Sequence, residues 1–136
     1  MMQSSENLHT KLHGKLDNCI GQLRAAQGHL EDVKNETVAN IEAKLATAKE
    51  TLDAKKQEAL AAKVKVEELG KAKLTETEES VAEWKANRHA HKLEKRAERA
   101  ENYADACVAL ALYYAGEAEV AILEAVAARQ DAINSK

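Results

Sequence analysis

Apolar residues cover nearly every side of a helix in only one segment, 103–128, which reads YADACVALALYYAGEAEVAILEAVAA. Elsewhere they form narrow stripes between many charged residues. A helix that is apolar on all sides needs neighbours on more than one face. The pattern therefore predicts that the other helices pack around segment 103–128.

The N-terminal half shows the alternating three- and four-residue spacing of a coiled-coil seam. A capping hydroxyl at Ser4 or Ser5 indicates the helix start. The seam consists of Leu16, Cys19, Leu23, Ala26, Leu30, Val33 and Thr37, and it continues less regularly to Leu69. We predict one long helix over about residues 5–69.

The clearest helix break follows Leu69. Gly70 suits a helix C-cap, and Thr75 with Glu78 three residues later forms a capping box at a new helix start. These signals predict a turn at about 70–74 and a second helix over about 75–133.

The predicted fold is all-α, with residues 1–136 as a single domain built as a long antiparallel, coiled-coil-like hairpin. This hairpin sets segment 103–128 against 17–42 and Trp84 against Ala59, Ala61 and Ala62. Segment 103–128 has more apolar faces than one partner helix covers, so we expect a four-helix or larger bundle. Breaks near Asn35 or Asn102, which would fold the arms into a shorter bundle, remain an alternative.

The composition narrows the class of protein. The 136 residues contain no Pro or Phe and only 3% aromatic residues, so thin helix seams are expected rather than a deep core. A net charge of −3 argues against a general nucleic-acid binder. We expect no signal peptide and no transmembrane segment, and hence a cytoplasmic chain in which Cys19 and Cys107 are reduced.

Two sets of residues are candidates for contact with another helix. The predicted interface is Tyr103, Cys107, Leu110, Tyr113, Tyr114, Val120, Leu123, Leu16, Leu23 and Leu30. A possible small-residue packing stripe is Gly14, Gly21, Ala25 and Gly28.

Candidate chemistry is sparse. Glu6, His9 and His13 share a helical face at metal-ligand spacing, but frayed polar residues explain them equally well, so no metal or other cofactor is expected. In the hairpin, Cys19 and Cys107 would lie roughly 28 Å apart, too far for a disulfide. The chain has no phosphate loop or nucleophile elbow, and we predict that it is not an enzyme.

A basic patch occupies residues 85–99, and Trp84 is its only nearby aromatic residue. Single-stranded nucleic acids are bound through several stacked aromatics, so we interpret this patch as a solvated face that pairs with acids.

The predicted function is a non-enzymatic interaction or scaffold protein that self-associates through segment 103–128 and the face of 8–45, with a helical protein as a further possible partner. The first alternative is a stress-protective or membrane-surface amphipathic protein. Segment 41–70 resembles late-embryogenesis-abundant and apolipoprotein-type helices in composition. The second alternative is a bundle that binds a metal or a small ligand.

Overall fold

The computed structural model describes residues 2–136, and the side chains of residues 7–73 and 76–136. The helices are α1 (Met2–Asp32), α2 (Val38–Ala54), α3 (Lys56–Thr75), α4 (Glu78–Ala86) and α5 (Ala90–Asn134), with a 3₁₀ turn at Val33–Asn35. Residues 2–136 contain no strand, so the predicted all-α class is confirmed.

The long helix α5 contacts all four of the others. Helix α1 runs parallel to it, because Lys15 pairs with Asp105 and His29 pairs with Glu119 at the same separation of 90 positions. The predicted antiparallel pairing of 17–42 with 103–128 is therefore not the observed one.

Helices α2 and α3 run antiparallel to α5. The ammonium of Lys49 lies 3.0 Å from the Glu124 carboxylate, and Arg99 donates to the Glu76 carboxylate from its Nε at 3.0 Å. The chain thus reverses direction twice, first between α1 and α2 and again between α3 and α5. The predicted hairpin reverses only once.

The first reversal interrupts the helix predicted over 5–69. Thr37 has an extended backbone, and its hydroxyl accepts a hydrogen bond from the Asn40 amide at 3.3 Å, which caps α2. Val33 turns into the core with 2% of its surface exposed. The alternative prediction, a helix break near Asn35, agrees with the structure in this region. Thr37 caps α2 and is not a seam residue.

A smaller break separates α2 from α3 at Lys55. Its backbone amide donates to the Leu52 carbonyl at 3.0 Å, a tighter bond than the regular α-helical one. The sequence already showed Lys55 interrupting the apolar seam, and the structure places the end of α2 at that residue.

The second reversal lies later than the predicted turn at 70–74. Helix α3 continues through Gly70, which lacks the positive φ of a C-cap glycine, and ends at Thr75. The cap of α4 is Thr77, whose hydroxyl accepts from the Ser80 amide at 3.0 Å. The predicted capping residue Thr75 has no described side chain. A further break before α5 centres on Arg88, at φ 53°.

The core is thin, as the composition suggests. Its largest fully buried side chains are Val33, Ile41 and Leu123, which cluster with Ala127 beside the first reversal. The other buried apolar residues are Ala26, Ala59, Ala62, Ala106, Ala115 and Val120. Small side chains at these positions allow the helices to approach closely.

Trp84 does not face Ala59, Ala61 and Ala62 as the hairpin predicts. It lies on α4, where the ammonium of Lys92 sits 5.7 Å from the centre of its ring. Ala59 instead borders the Val108–Leu112 turn of α5. The later reversal shifts the register of α3 on α5, and this shift accounts for the difference.

Candidate functional site

One side of α1 presents large aliphatic side chains to solvent. Leu16, Ile20, Leu23 and Leu30 are 49%, 47%, 51% and 40% exposed. Their spacing of four, three and seven residues places them on one stripe of the helix. We call these four residues the leucine face.

The leucine face borders a shallow groove against α5. Ile20, Leu23 and Leu30 form one wall, and Ala118 with Ile122 forms the other. The groove has a volume of about 440 Å³. Tyr114, on the same helix as Ala118, is 52% exposed. Apolar surface from two adjacent helices is therefore continuous here.

Polar residues take the inner positions of α1 that the sequence pattern assigned to leucines. Cys19, Ala26 and Val33 point inward as predicted. On the same side of α1, Lys15, Gln22 and His29 are partly buried. Leu16, Leu23 and Leu30 are exposed.

Two carboxylates on α5 account for this rotation of α1. Asp105 is hydrogen-bonded to the Lys15 ammonium, and Glu119 accepts from Gln22 Nε2 while contacting His29 Nδ1. A carboxylate in the contact between helices requires polar partners, because burying it unpaired is costly. The leucines are turned outward in consequence.

The Asp105 carboxylate is stabilised in its charged form. The hydrogen bond from Lys15, reinforced by the charges of Lys15 and Lys11, lowers the pKa of Asp105 despite the opposing effect of burial. The Lys11 ammonium lies 3.5 Å away. This cluster holds the register of α1 on α5 near the middle of α1.

Glu119 is the one buried charged residue among the described positions, with 7% of its surface exposed. Its two oxygens are engaged separately, one by Gln22 and the other by His29. The carboxylate is thus already satisfied by the chain itself.

Glu119 also lines a cavity of about 430 Å³ where α1, α2 and α5 meet. Its lining is mainly apolar and includes Ala25, Leu52, Leu112 and Gly116. The volume lies within the range of small-molecule pockets. A side chain at Gly116 would meet Leu52 at 3.2 Å, so α2 and α5 are in close contact at its floor.

Lys55 lines this cavity and also a second hollow of about 210 Å³ between α1, α3 and α5. Leu112 and Tyr113 line both spaces as well. The two spaces therefore adjoin at these three residues.

The predicted interface residues fall into three groups. Val120 and Leu123 are buried within the chain, at 9% and 1% exposure, and are not available to a partner. Partly buried residues are Tyr103, Cys107, Leu110 and Tyr113. Exposed residues are Tyr114, Leu16, Leu23 and Leu30, to which the structure adds Ile20.

The three glycines of the small-residue stripe contact no other helix among the described residues. Side chains added at Gly14, Gly21 and Gly28 would find no atom within 4 Å beyond their own stretch of helix. Ala25 is exposed and lines the cavity instead.

Cys19 and Cys107 are both free and partly buried. Because α1 is parallel to α5, Cys19 lies one turn beyond Lys15, and Cys107 lies two residues beyond its partner Asp105. The predicted separation of roughly 28 Å along the helices is therefore wrong, since it assumed the antiparallel pairing.

The described residues contain no group of three His, Cys, Asp or Glu that could hold a metal ion. His13 lies 3.3 Å from Asp17 on the exposed side of α1, His9 is also exposed, and the Glu6 side chain is outside the described set.

Part of the basic patch at 85–99 is engaged within the chain. Arg96 and Arg99 both contact the carboxylate of Glu76, which lies between α3 and α4. Lys92 sits over the ring of Trp84. These contacts support the interpretation of the patch as a face that pairs with acids.

By length and composition α5 qualifies as a candidate membrane span, although the sequence predicted none. An eighteen-residue stretch has a mean hydropathy of 1.5, and 28% of it is buried. The core helix of a soluble protein meets the same criteria, so this property alone does not establish a span.

Comparisons with protein-family models, with curated proteins and with solved structures give no match to this chain.

Proposed function

We propose that this chain is a non-enzymatic helical interaction protein that self-associates through the leucine face and the adjoining surface of α5. The observation that carries the proposal is the half-exposed stripe Leu16, Ile20, Leu23 and Leu30 beside an apolar groove. Contiguous exposed apolar surface of this kind marks interaction sites.

A second copy of the chain is the occupant that this surface fits best. The stripe repeats at heptad-like spacing, which suits contact with another helix of the same pattern. A two-fold dimer would place the same patch on both sides of the contact. Two α1 helices and two α5 helices would then form a four-helix contact that buries the leucine faces.

The flank of the stripe favours a protein over an anionic membrane. Along α1 it carries Asp17, Arg24 and Glu31, so both signs of charge alternate. A helix that lies on anionic lipid is rich in Lys and Arg on its polar side. The chain would act in the cytoplasm, where Cys19 and Cys107 stay reduced.

The test is light scattering during size-exclusion chromatography, with circular dichroism on the same peak. Wild type is expected to elute as a helical dimer or larger assembly. The double variant Leu16→Lys/Leu23→Lys is expected to be a monomer of unchanged helicity.

The matched control is Leu60→Lys/Val64→Lys on α3, where both side chains are equally exposed, at 48% and 52%. It should leave the assembly intact. A wild-type monomer at micromolar concentration, or equal dissociation by both double variants, would exclude the leucine face as the interface.

The alternative function, a membrane-surface protein, is favoured by the hydropathy of α5. It predicts that anionic vesicles bind the wild-type chain and increase its helicity. Binding that survives Leu16→Lys/Leu23→Lys would place the contact on α5 and favour this alternative.

A further inference from the structure

We propose that the space between α1, α2 and α5 binds a small amphipathic anion, with an elongated apolar body and a single carboxylate, sulfonate or phosphate. The site is distinct from the leucine face, and the inference does not depend on self-association. It rests on the shape of the space, its lining and the distribution of charge within it.

The shape suits an elongated molecule. The cavity of about 430 Å³ adjoins the hollow of about 210 Å³, and Leu112 and Tyr113 line both. Ala48, Leu52 and Gly116 provide further apolar or small surface on the larger side. An apolar chain in this space would contact helices on three sides.

Lys55 supplies an ammonium where the two spaces adjoin. It is exposed, and it has no ion-pair partner within 4.0 Å among the described side chains. The Glu119 carboxylate in the larger cavity is hydrogen-bonded to Gln22 and His29, and Glu58 lines only the smaller hollow. An ammonium beside an apolar cavity attracts an anionic group through a charge-assisted hydrogen bond.

Local backbone structure brings Lys55 to this position. The residue ends α2, and the helix break at this point lies directly beside the cavity. Neither Pro nor Gly is present between residues 38 and 69, so the break coincides with the charged residue that interrupts the apolar seam.

The experiment is a fluorescence titration of the full chain with dansyl-undecanoate, followed by displacement with unlabelled ligands. Decanoate is expected to displace the probe up to about fivefold better than decanol or decyltrimethylammonium, the worth of one ion pair with an exposed lysine. Equal displacement by all three would overturn the assignment, because Lys55 would then select nothing.

Two variants locate the site. Lys55→Gln should weaken probe binding up to about fivefold, the worth of an exposed ion pair, and Ala25→Leu should weaken it by filling the cavity. Lys49→Gln is the matched control, because Lys49 is on α2, which Lys55 caps, but pairs with Glu124 and lines neither space. Circular dichroism verifies that each variant is as helical as wild type.

The Leu16→Lys/Leu23→Lys variant separates this site from the leucine face. It should bind the probe as wild type does, whatever its oligomeric state. Loss of binding in that variant, with Lys55→Gln unaffected, would show that the probe reads the leucine face and would overturn the proposed anion site.

Discussion

The orientation of α1 is tested most directly by comparing two leucine truncations. Leu23 is 51% exposed and Leu123 is 1% exposed. Complete burial of a leucine side chain contributes about 1.5–3 kcal/mol. Since half of Leu23 remains in solvent, Leu23→Ala should lower the free energy of unfolding of a single chain by about 1 kcal/mol or less.

Leu123→Ala is the contrasting substitution. Leu123 packs against Val33, Ile41 and Ala127, so its truncation leaves a cavity and should cost about 2–5 kcal/mol. This cost should not depend on protein concentration. The cost of Leu23→Ala should instead grow with concentration, because assembly stabilises the folded chain by mass action.

The assay is urea unfolding followed by circular dichroism, repeated over a dilution series. If Leu23→Ala costs about 2 kcal/mol or more even at the highest dilution, then Leu23 is buried within the single chain. In that case α1 faces α5 with its leucines, as the seam pattern alone suggests, and the observed rotation of α1 would be refuted.

Two further predictions concern local features. Asp105→Asn should lower the melting temperature at neutral pH. Because the folded-state pKa of Asp105 is lowered, the stability that its charge contributes is present above the unfolded value of 3.8 and fades as pH falls through the folded-state pKa. The melting temperatures of wild type and variant should therefore converge in acid. Asp17→Asn, at an exposed pair with His13, is the control, and a difference that persists in acid would contradict the role of the Asp105 charge. Arg88→Gly should raise the melting temperature, because φ 53° strains a residue with a side chain, whereas an unchanged or lower value would argue against strain at this turn.

The helical class follows from the sequence because it depends on local properties. The chain has no Pro, few Gly and long runs of Ala, Lys, Glu and Leu, all of which favour helix wherever the chain folds. The reversals are harder to place from sequence. Gly70 is a good C-cap only if the helix ends there. In the structure α3 continues through Gly70, and a Cβ at this position would lie 3.8 Å from the ring of Tyr103 on α5.

The face of α1 that meets α5 was not predicted because two stripes compete along the same helix. Apolarity favours Leu16, Leu23 and Leu30, but Lys15 and His29 match the spacing of Asp105 and Glu119. That shared spacing of fourteen residues was the available signal. It is informative only if α1 runs parallel to α5, a direction that the single-turn hairpin excluded.

The cavity was also beyond sequence reasoning, since its lining comes from three helices. Lys55 appeared in the sequence only as a residue that interrupts a seam. The role of Lys55 depends on which neighbouring polar residues already have partners. The pairs Glu36–Lys44 and Gln22–Glu119 can be identified only once the first reversal is known, because they are a property of the tertiary fold.

Both proposed activities depend on α1, but on different sides of it. Ile20, Leu23 and Leu30 border the groove, whereas Gln22 and His29 border the cavity. The carboxylate of Glu119 links the two, because its bonds to Gln22 and His29 hold the polar side of α1 inward and thereby expose the leucines. Self-association would then cover the leucine face and leave the cavity, which borders a different side of α1, open to a ligand.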